Sequence, residues 1–124
     1  MADTTKFMPP AGSRIAVLGA CGGIGADVVR ALVDGGCTVI AMDLPGSLAE
    51  APGPAHHAIA FDGRDPESIS TAFAQMAQIS PRLDGLVIAS GFAGPRQPID
   101  QWEIDQIDDV LDGNLRLMTL CLRA

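Results

Sequence analysis

Between residues 14 and 34 an apolar run breaks into a cluster of glycines and restarts with a helical period, and few folds can be built around such a junction. Arg14-Ile-Ala-Val-Leu18 reads as a strand that is apolar throughout, as expected where helices cover both faces of a parallel sheet. The segment Leu18-Gly-Ala-Cys-Gly-Gly-Ile-Gly25 follows it. From Gly25 to Asp34 the pattern is that of an amphipathic helix, with Ile24, Val28 and Leu32 on one stripe and Val29 and Val33 beside it. Gly35-Gly36 ends that helix, because glycine takes the left-handed cap conformation at little cost.

The remainder repeats the alternation. Cys37 to Met42 reads as a second strand, and the Pro- and Gly-rich stretch Pro45 to Pro54 has room for at most one short helix. Ala58 to Phe61 is a third strand. Asp65 then caps a helix that has Pro66 at its first position and Ile69, Phe73 and Met76 on its inner face. Leu83 to Ala89 is a fourth strand, followed by a loop from Ser90 to Pro98 and a last helix. Two starts are open for that helix. Asp100 with Glu103 makes a capping box supported by an Ile99–Ile104 staple, and Asp105 is the other cap. Strands alternating with helices imply an α/β chain with right-handed crossovers: a Rossmann-type three-layer sandwich with a mostly parallel sheet of about four strands in the order 3-2-1-4. It is expected to occupy residues 14–124, with 1–13 as a flexible N-terminal arm.

Composition narrows the partners. The chain has 124 residues, of which 48% are hydrophobic and 19% charged, so it forms a core and is not a disordered tail. Its formal charge is −7 and its single lysine is Lys6, which argues against nucleic acid and membrane surfaces as partners. Any phosphate must then be held by main-chain N–H groups. Cys21, Cys37 and Cys121 follow no metal or disulfide spacing and read as reduced thiols, which points to the cytoplasm. No signal peptide or membrane span is expected, and His56 and His57 read as surface residues, not metal ligands.

The glycine segment carries the chemistry. Gly19 suits a tight turn off the strand, Gly23 lets main chain approach a pyrophosphate, and Gly25 lets helix pack closely on strand. The second strand ends at Asp43, at the distance of a carboxylate that accepts hydrogen bonds from ribose hydroxyls. That charge repels a 2′-phosphate, and Leu44-Pro45-Gly46 supplies no arginine to offset it, so NAD is expected over NADP. The loop lacks the Lys-Ser/Thr ending of a P-loop nucleotidase. Cys21, at a helix N-terminus, has a redox thiol as one reading and a small loop-filling residue as the other.

Here the chain resembles the short-chain dehydrogenase/reductase family. Its Thr-Gly-x-x-x-Gly-x-Gly is similar to Leu18–Gly25, with Leu18 for the threonine, and its acid after strand two falls on Asp43. The family's adenine-contacting Asp resembles Asp62 in Phe61-Asp-Gly-Arg-Asp65. Its Asn-Asn-Ala-Gly resembles Ile88-Ala-Ser-Gly91, with both asparagines replaced, and its helix-borne asparagine falls on Asn114 of Val110-Leu-Asp-Gly-Asn-Leu115. The resemblance implies that Gly19, Cys21, Gly22, Gly23, Ile24, Gly25, Asp43, Leu44, Asp62, Gly63, Ala89, Ser90, Gly91 and Val110 hold the dinucleotide. It implies a catalytic part for Asn114, whose main chain in the family holds a water in the proton relay, and a bend at Gly113 would suit that use.

One departure outweighs the matches. The family's serine and Tyr-x-x-x-Lys pair would lie further along, whereas this sequence has no tyrosine and its lysine is at position 6. The expectation is the NAD-binding portion of an oxidoreductase that moves hydride between NAD and an alcohol or ketone, inactive as this chain stands and truncated relative to the family. The alternatives are a non-catalytic NAD-binding module and a structural half-fold that assembles with another chain. Leu115 to Leu122 is apolar nearly all round, and the fourth strand has a free edge, so a homo-oligomer through the last helix or that edge is expected.

Overall fold

The computed structural model describes residues 7–124. Four strands, β1 (Arg14–Leu18), β2 (Thr38–Asp43), β3 (His57–Ala60) and β4 (Gly85–Ile88), form one sheet in the order β3-β2-β1-β4. All three strand pairs are parallel, as the sequence pattern required. The strands differ from expectation by a residue or two at their ends; β2 runs on to Asp43, and β4 is shorter than the apolar run that contains it.

Helices α1 (Gly23–Asp34) and α3 (Pro66–Ile79) lie on opposite faces, with the short α2 (Pro45–Glu50) between β2 and β3. Each face has its own core. On the α1 side Val17, Val39 and Ala41 pack against Val29 and Leu32. On the other, Leu18, Ile40 and Met42 pack against Ile69, Ala72, Met76, Leu117 and Cys121. Alternate residues of β1 and β2 thus point to opposite cores, and both sets are apolar because both faces are covered. The inner stripe of α1 is Gly25, Val29 and Leu32, not the stripe through Ile24, which is 77% exposed. On α3, Asp65 accepts a hydrogen bond from Glu67 N–H at 3.0 Å and Pro66 opens the helix, as read from the sequence.

The last helix starts at neither expected place. Ile99–Gln101 forms a separate 3₁₀ turn, and α4 (Ile104–Leu111) is preceded by Glu103, whose N–H donates to Gln106 Oε1 at 2.9 Å. Trp102 is the cause: its indole N–H donates to Gln97 O at 3.0 Å, folding the loop back and separating Asp100 from the helix. Trp102 therefore ties the loop to the helix, with Gly94 against its ring. A π-helical turn (Asp112–Arg116) joins α4 to α5 (Leu117–Arg123), so the bend expected at Gly113 is one wide turn in a continuous helix.

Residues 1–6 of the expected arm lie outside the described residues. Of the rest, Phe7 is exposed, while Met8 packs on the α1 core and Gly12 N–H donates to Gly36 O at 2.8 Å. His56 and His57 are exposed as expected, but His56 also extends the sheet: its Nδ1 accepts Val39 N–H at 3.1 Å and its own N–H donates to Val39 O at 3.0 Å. Among the described residues no helix is long and apolar enough to cross a membrane, and no group of acids, histidines and cysteines could hold a metal.

The join between α5 and the loop after β3 is tight. A Cβ on Gly63 would lie 2.3 Å from Leu117 Cδ1 and 2.7 Å from Cγ. Gly63→Ala is therefore expected to destabilise the chain by about 1–3 kcal/mol in urea unfolding. In a Leu117→Ala background the same change should cost much less; equal costs in the two backgrounds would show that the contact is not the reason for the glycine.

Candidate functional site

The C-terminal ends of the strands open into a groove of about 510 Å³, lined by the loops that follow β1, β2, β3 and β4. In a doubly wound sheet this is where loops diverge to opposite faces and leave a crevice. Its first wall is the turn from β1 into α1. Gly19 has φ +75°, and a Cβ there would fall 2.6 Å from Ser90 N, so turn conformation and β4 contact both require glycine. A Cβ on Gly25 would lie 1.9 Å from Gly19 O, which is how the helix comes down directly onto the strand end.

Gly22 and Gly23 differ. A Cβ on Gly23 would meet nothing within 4 Å, and one on Gly22 only Gly19 O at an ordinary 3.6 Å. The chain's own packing does not demand glycine at these two positions. The first amides of any helix lack partners within it, and α1 has neither a side-chain cap nor an acidic residue in its first turn to answer them. The result is an uncapped positive helix end beside main chain that nothing shields. Such a cradle fits an anion.

Asp43 holds the turn from beneath. Its Oδ2 accepts from Cys21 N–H at 2.8 Å and its Oδ1 from Leu44 N–H at 2.8 Å. Each carboxylate oxygen has a second lone pair, so both can still accept from a ligand hydroxyl. Burial, and after it the Asp43 carboxylate beside it, pushes the Cys21 thiol above its usual value. A helix N-terminus acts in the opposite direction, so the rise counts against a reactive thiolate. Burial likewise raises Cys121. All three cysteines are free thiols.

The opposite wall comes from the loops after β3 and β4 and from the last helix. Asp62 Oδ1 accepts Arg64 N–H at 2.9 Å, fixing the turn that presents Asp62 and Gly63 to the groove. Asn114 is the brace on this side. Its Nδ2 donates to Phe92 O at 2.7 Å and to Val110 O at 2.8 Å, while its Oδ1 accepts Phe92 N–H at 3.2 Å. The π turn disturbs the regular ladder where Val110 would bond, and the Asn114 amide supplies that carbonyl with a donor. Leu18 is fully buried, so no side-chain hydroxyl ties the glycine loop to β4; that join is made by Ala89 N–H donating to Leu18 O at 2.8 Å and by the fit of Gly19 under Ser90.

Of the residues expected to hold a dinucleotide, Gly19, Cys21, Gly22, Asp43, Leu44, Asp62, Gly63, Ala89, Ser90 and Gly91 are brought together around this groove. Gly23 is exposed beside it, and Gly25 is buried beneath the turn. The Ile24 side chain is turned to solvent, so only its main chain belongs to the helix opening. Val110 lies against Gly94, away from the lining. Sequence reasoning missed Ser47, Phe61, Arg64, Phe92 and Leu117 as lining residues, and valued Gly113 only for its bend. Arg64 was the detectable one, a cation two residues past an acid already singled out.

The sequence profile described as short chain dehydrogenase matches residues 13–124. The chain belongs to this family. It is 28% identical over 116 residues to 2-dehydro-3-deoxy-L-rhamnonate dehydrogenase (NAD(+)) from Sphingomonas sp. (strain SKA58), covering 91% of this chain and 47% of that enzyme. A short chain dehydrogenase from Mycobacterium smegmatis superposes with TM-score 0.76 at 25% identity, over 91% of this chain and 50% of that one. A short-chain type dehydrogenase/reductase from Mycobacterium ulcerans gives TM-score 0.80 at 23% identity, over 94% and 46%, and shares the fold. The chain thus spans about half the length of these relatives.

The two kinds of glycine separate by substitution. Gly25→Ala, which drives a methyl into Gly19 O, is expected to cost more than about 3 kcal/mol of stability. Gly23→Ala, which meets open space, should stay within about 0.5 kcal/mol of the parent. Thermal unfolding of the two variants reads the contrast directly; similar losses would mean that both glycines serve packing.

Proposed function

We propose that this chain binds NAD and forms the dinucleotide half of an oxidoreductase that transfers hydride between NAD and an alcohol or carbonyl compound. The observation that carries the reading is the uncapped start of α1 facing the groove, with Gly22 and Gly23 kept bare where the fold itself does not ask for it. A pyrophosphate there would take the N–H groups that open α1. Asp43, one strand over, would accept from the adenosine ribose hydroxyls, and its charge disfavours a 2′-phosphate at the same place. Asp62 and Gly63, one strand further, would meet the base. NAD, when bound, supplies the hydride acceptor or donor.

The chain's own contribution is binding and orientation. Gly91 and Asn114 sit where the groove passes under the π turn, and the Asn114 side chain is spent on Phe92 and Val110, which leaves its main chain as the part able to hold a water. With no tyrosine and with Lys6 as its lysine, the chain alone is expected to bind the cofactor without turning over an alcohol or ketone. The relative from Sphingomonas is named for a sugar-acid substrate and for NAD(+), which supports the cofactor class.

We also propose assembly with a second copy. Ile104, Ile107, Leu111, Leu115, Met118 and Leu122 are exposed on the last helix at steps of three or four residues, so they form one apolar stripe, while Leu117 and Cys121 on the same helix face the core. Homo-oligomerisation through this stripe, or through the open edge of β4, would cover it.

Titration calorimetry with NAD and NADP on the parent and on Asp43→Asn tests the cofactor reading. Asn keeps the shape but loses the charge, so NAD affinity is expected to fall roughly 10- to 100-fold and the preference over NADP to narrow. Unchanged affinity and preference would remove Asp43 from the site and end the reading of NAD over NADP.

A further inference from the structure

Arg64 is the only basic side chain among the described residues lining the groove, whose walls also hold the carboxylates of Asp43 and Asp62. Two neighbours hold its head. The guanidinium carbon lies over the Phe92 ring, 5.3 Å from its centre, and Nη1 is 3.8 Å from Asp109 Oδ1. The ion pair is long and both partners are half-exposed, so Asp109 positions the guanidinium without consuming its hydrogen-bonding capacity.

The sheet order says which part of a ligand this group would meet. Going outward from the glycine turn at the end of β1, the ends of β2 and β3 follow in turn, carrying Asp43 and then Asp62 to Arg64. With a pyrophosphate over the glycine turn and a ribose on Asp43, the next group in line is the base. We propose that Arg64 is a base-recognition residue, its guanidinium stacked between Phe92 and the adenine of the dinucleotide. This rests on the dinucleotide reading above. A guanidinium suits the role because it is planar, weakly hydrated and always charged, so it can lie on an aromatic ring with one face and on a purine with the other. The stack gives Phe92, an exposed aromatic ring on a loop, a purpose, and it explains why Asn114 pins that residue by both its N–H and its carbonyl.

Binding of four probes to the parent, Arg64→Met and Arg64→Lys separates the possibilities: NAD, AMP, uncharged adenosine, and nicotinamide mononucleotide. Arg64→Met is expected to weaken adenosine, AMP and NAD by about tenfold and to leave nicotinamide mononucleotide unchanged. Arg64→Lys, which keeps the charge but not the plane, should lose most of the same affinity, and it carries the test if the Met variant fails a thermal-melt check. Full retention by Lys, equal losses for AMP and nicotinamide mononucleotide, or unaltered adenosine binding in both variants would each overturn the proposal. A parent chain that binds nicotinamide mononucleotide but no adenine compound would overturn it and leave the phosphate cradle standing; one that binds none of the four would end the dinucleotide reading itself.

Discussion

A helix that begins in contact with the strand before it needs a residue without a side chain at the contact, and here Gly25 rests on the Gly19 carbonyl. That single contact sets the angle at which α1 leaves the sheet, and so where its unsatisfied amides point. It also draws Gly19 under Ser90, which joins the glycine turn to β4 without the polar side chains that Leu18 and Ile88 replace. Asp43 then fastens the turn from the next strand by accepting the Cys21 amide. The cradle is held from two strands at once, and neither hold uses the outward surface at Gly22 and Gly23.

The far side of the groove is built by a different device. A π turn widens the last helix by one residue at Gly113-Asn114, and the Asn114 amide bridges the disturbed ladder to the β4 loop. Beyond it Leu117 drops into the space that a side chain on Gly63 would fill. Loop, π turn and helix are thus cross-tied by fits between bare glycines and their neighbours. One wall is fixed by hydrogen bonds to a carboxylate, the other by an amide side chain and by shape.

Much of this was legible in the chain. Short apolar runs placed every strand, since a strand covered on both faces of a parallel sheet leaves little alternative to Val, Ile, Leu, Ala or Met. The glycine turn and Asp43 followed from local chemistry, while Asp62 and the bend at Gly113 came from the family resemblance. What escaped was set by tertiary geometry. Ile24 continues the apolar period of α1, yet it sits on the first turn, beyond the end of β1, where no core reaches it. The start of α4 was misread because Trp102 folds back to Gln97, a contact that leaves no local signature. Arg64, Phe92 and Leu117 come from three separate segments and meet only when the sheet forms, so no spacing rule could assemble them. The same holds for His56, whose ring takes a main-chain donor from a neighbouring strand.

The family assignment covers the fold and the groove together, because the same glycines that let the sheet and helix touch also shape the mouth of the cleft. The proposed function requires this mouth to take a pyrophosphate on main-chain amides. Amide chemical-shift mapping of the isotope-labelled chain during NAD titration addresses it directly. The dominant shifts are expected at Gly22, Gly23 and Ile24, with a second group at Leu44 and Gly63. Saturable binding that leaves the opening of α1 unmoved, with its shifts confined to other parts of the surface, would contradict it.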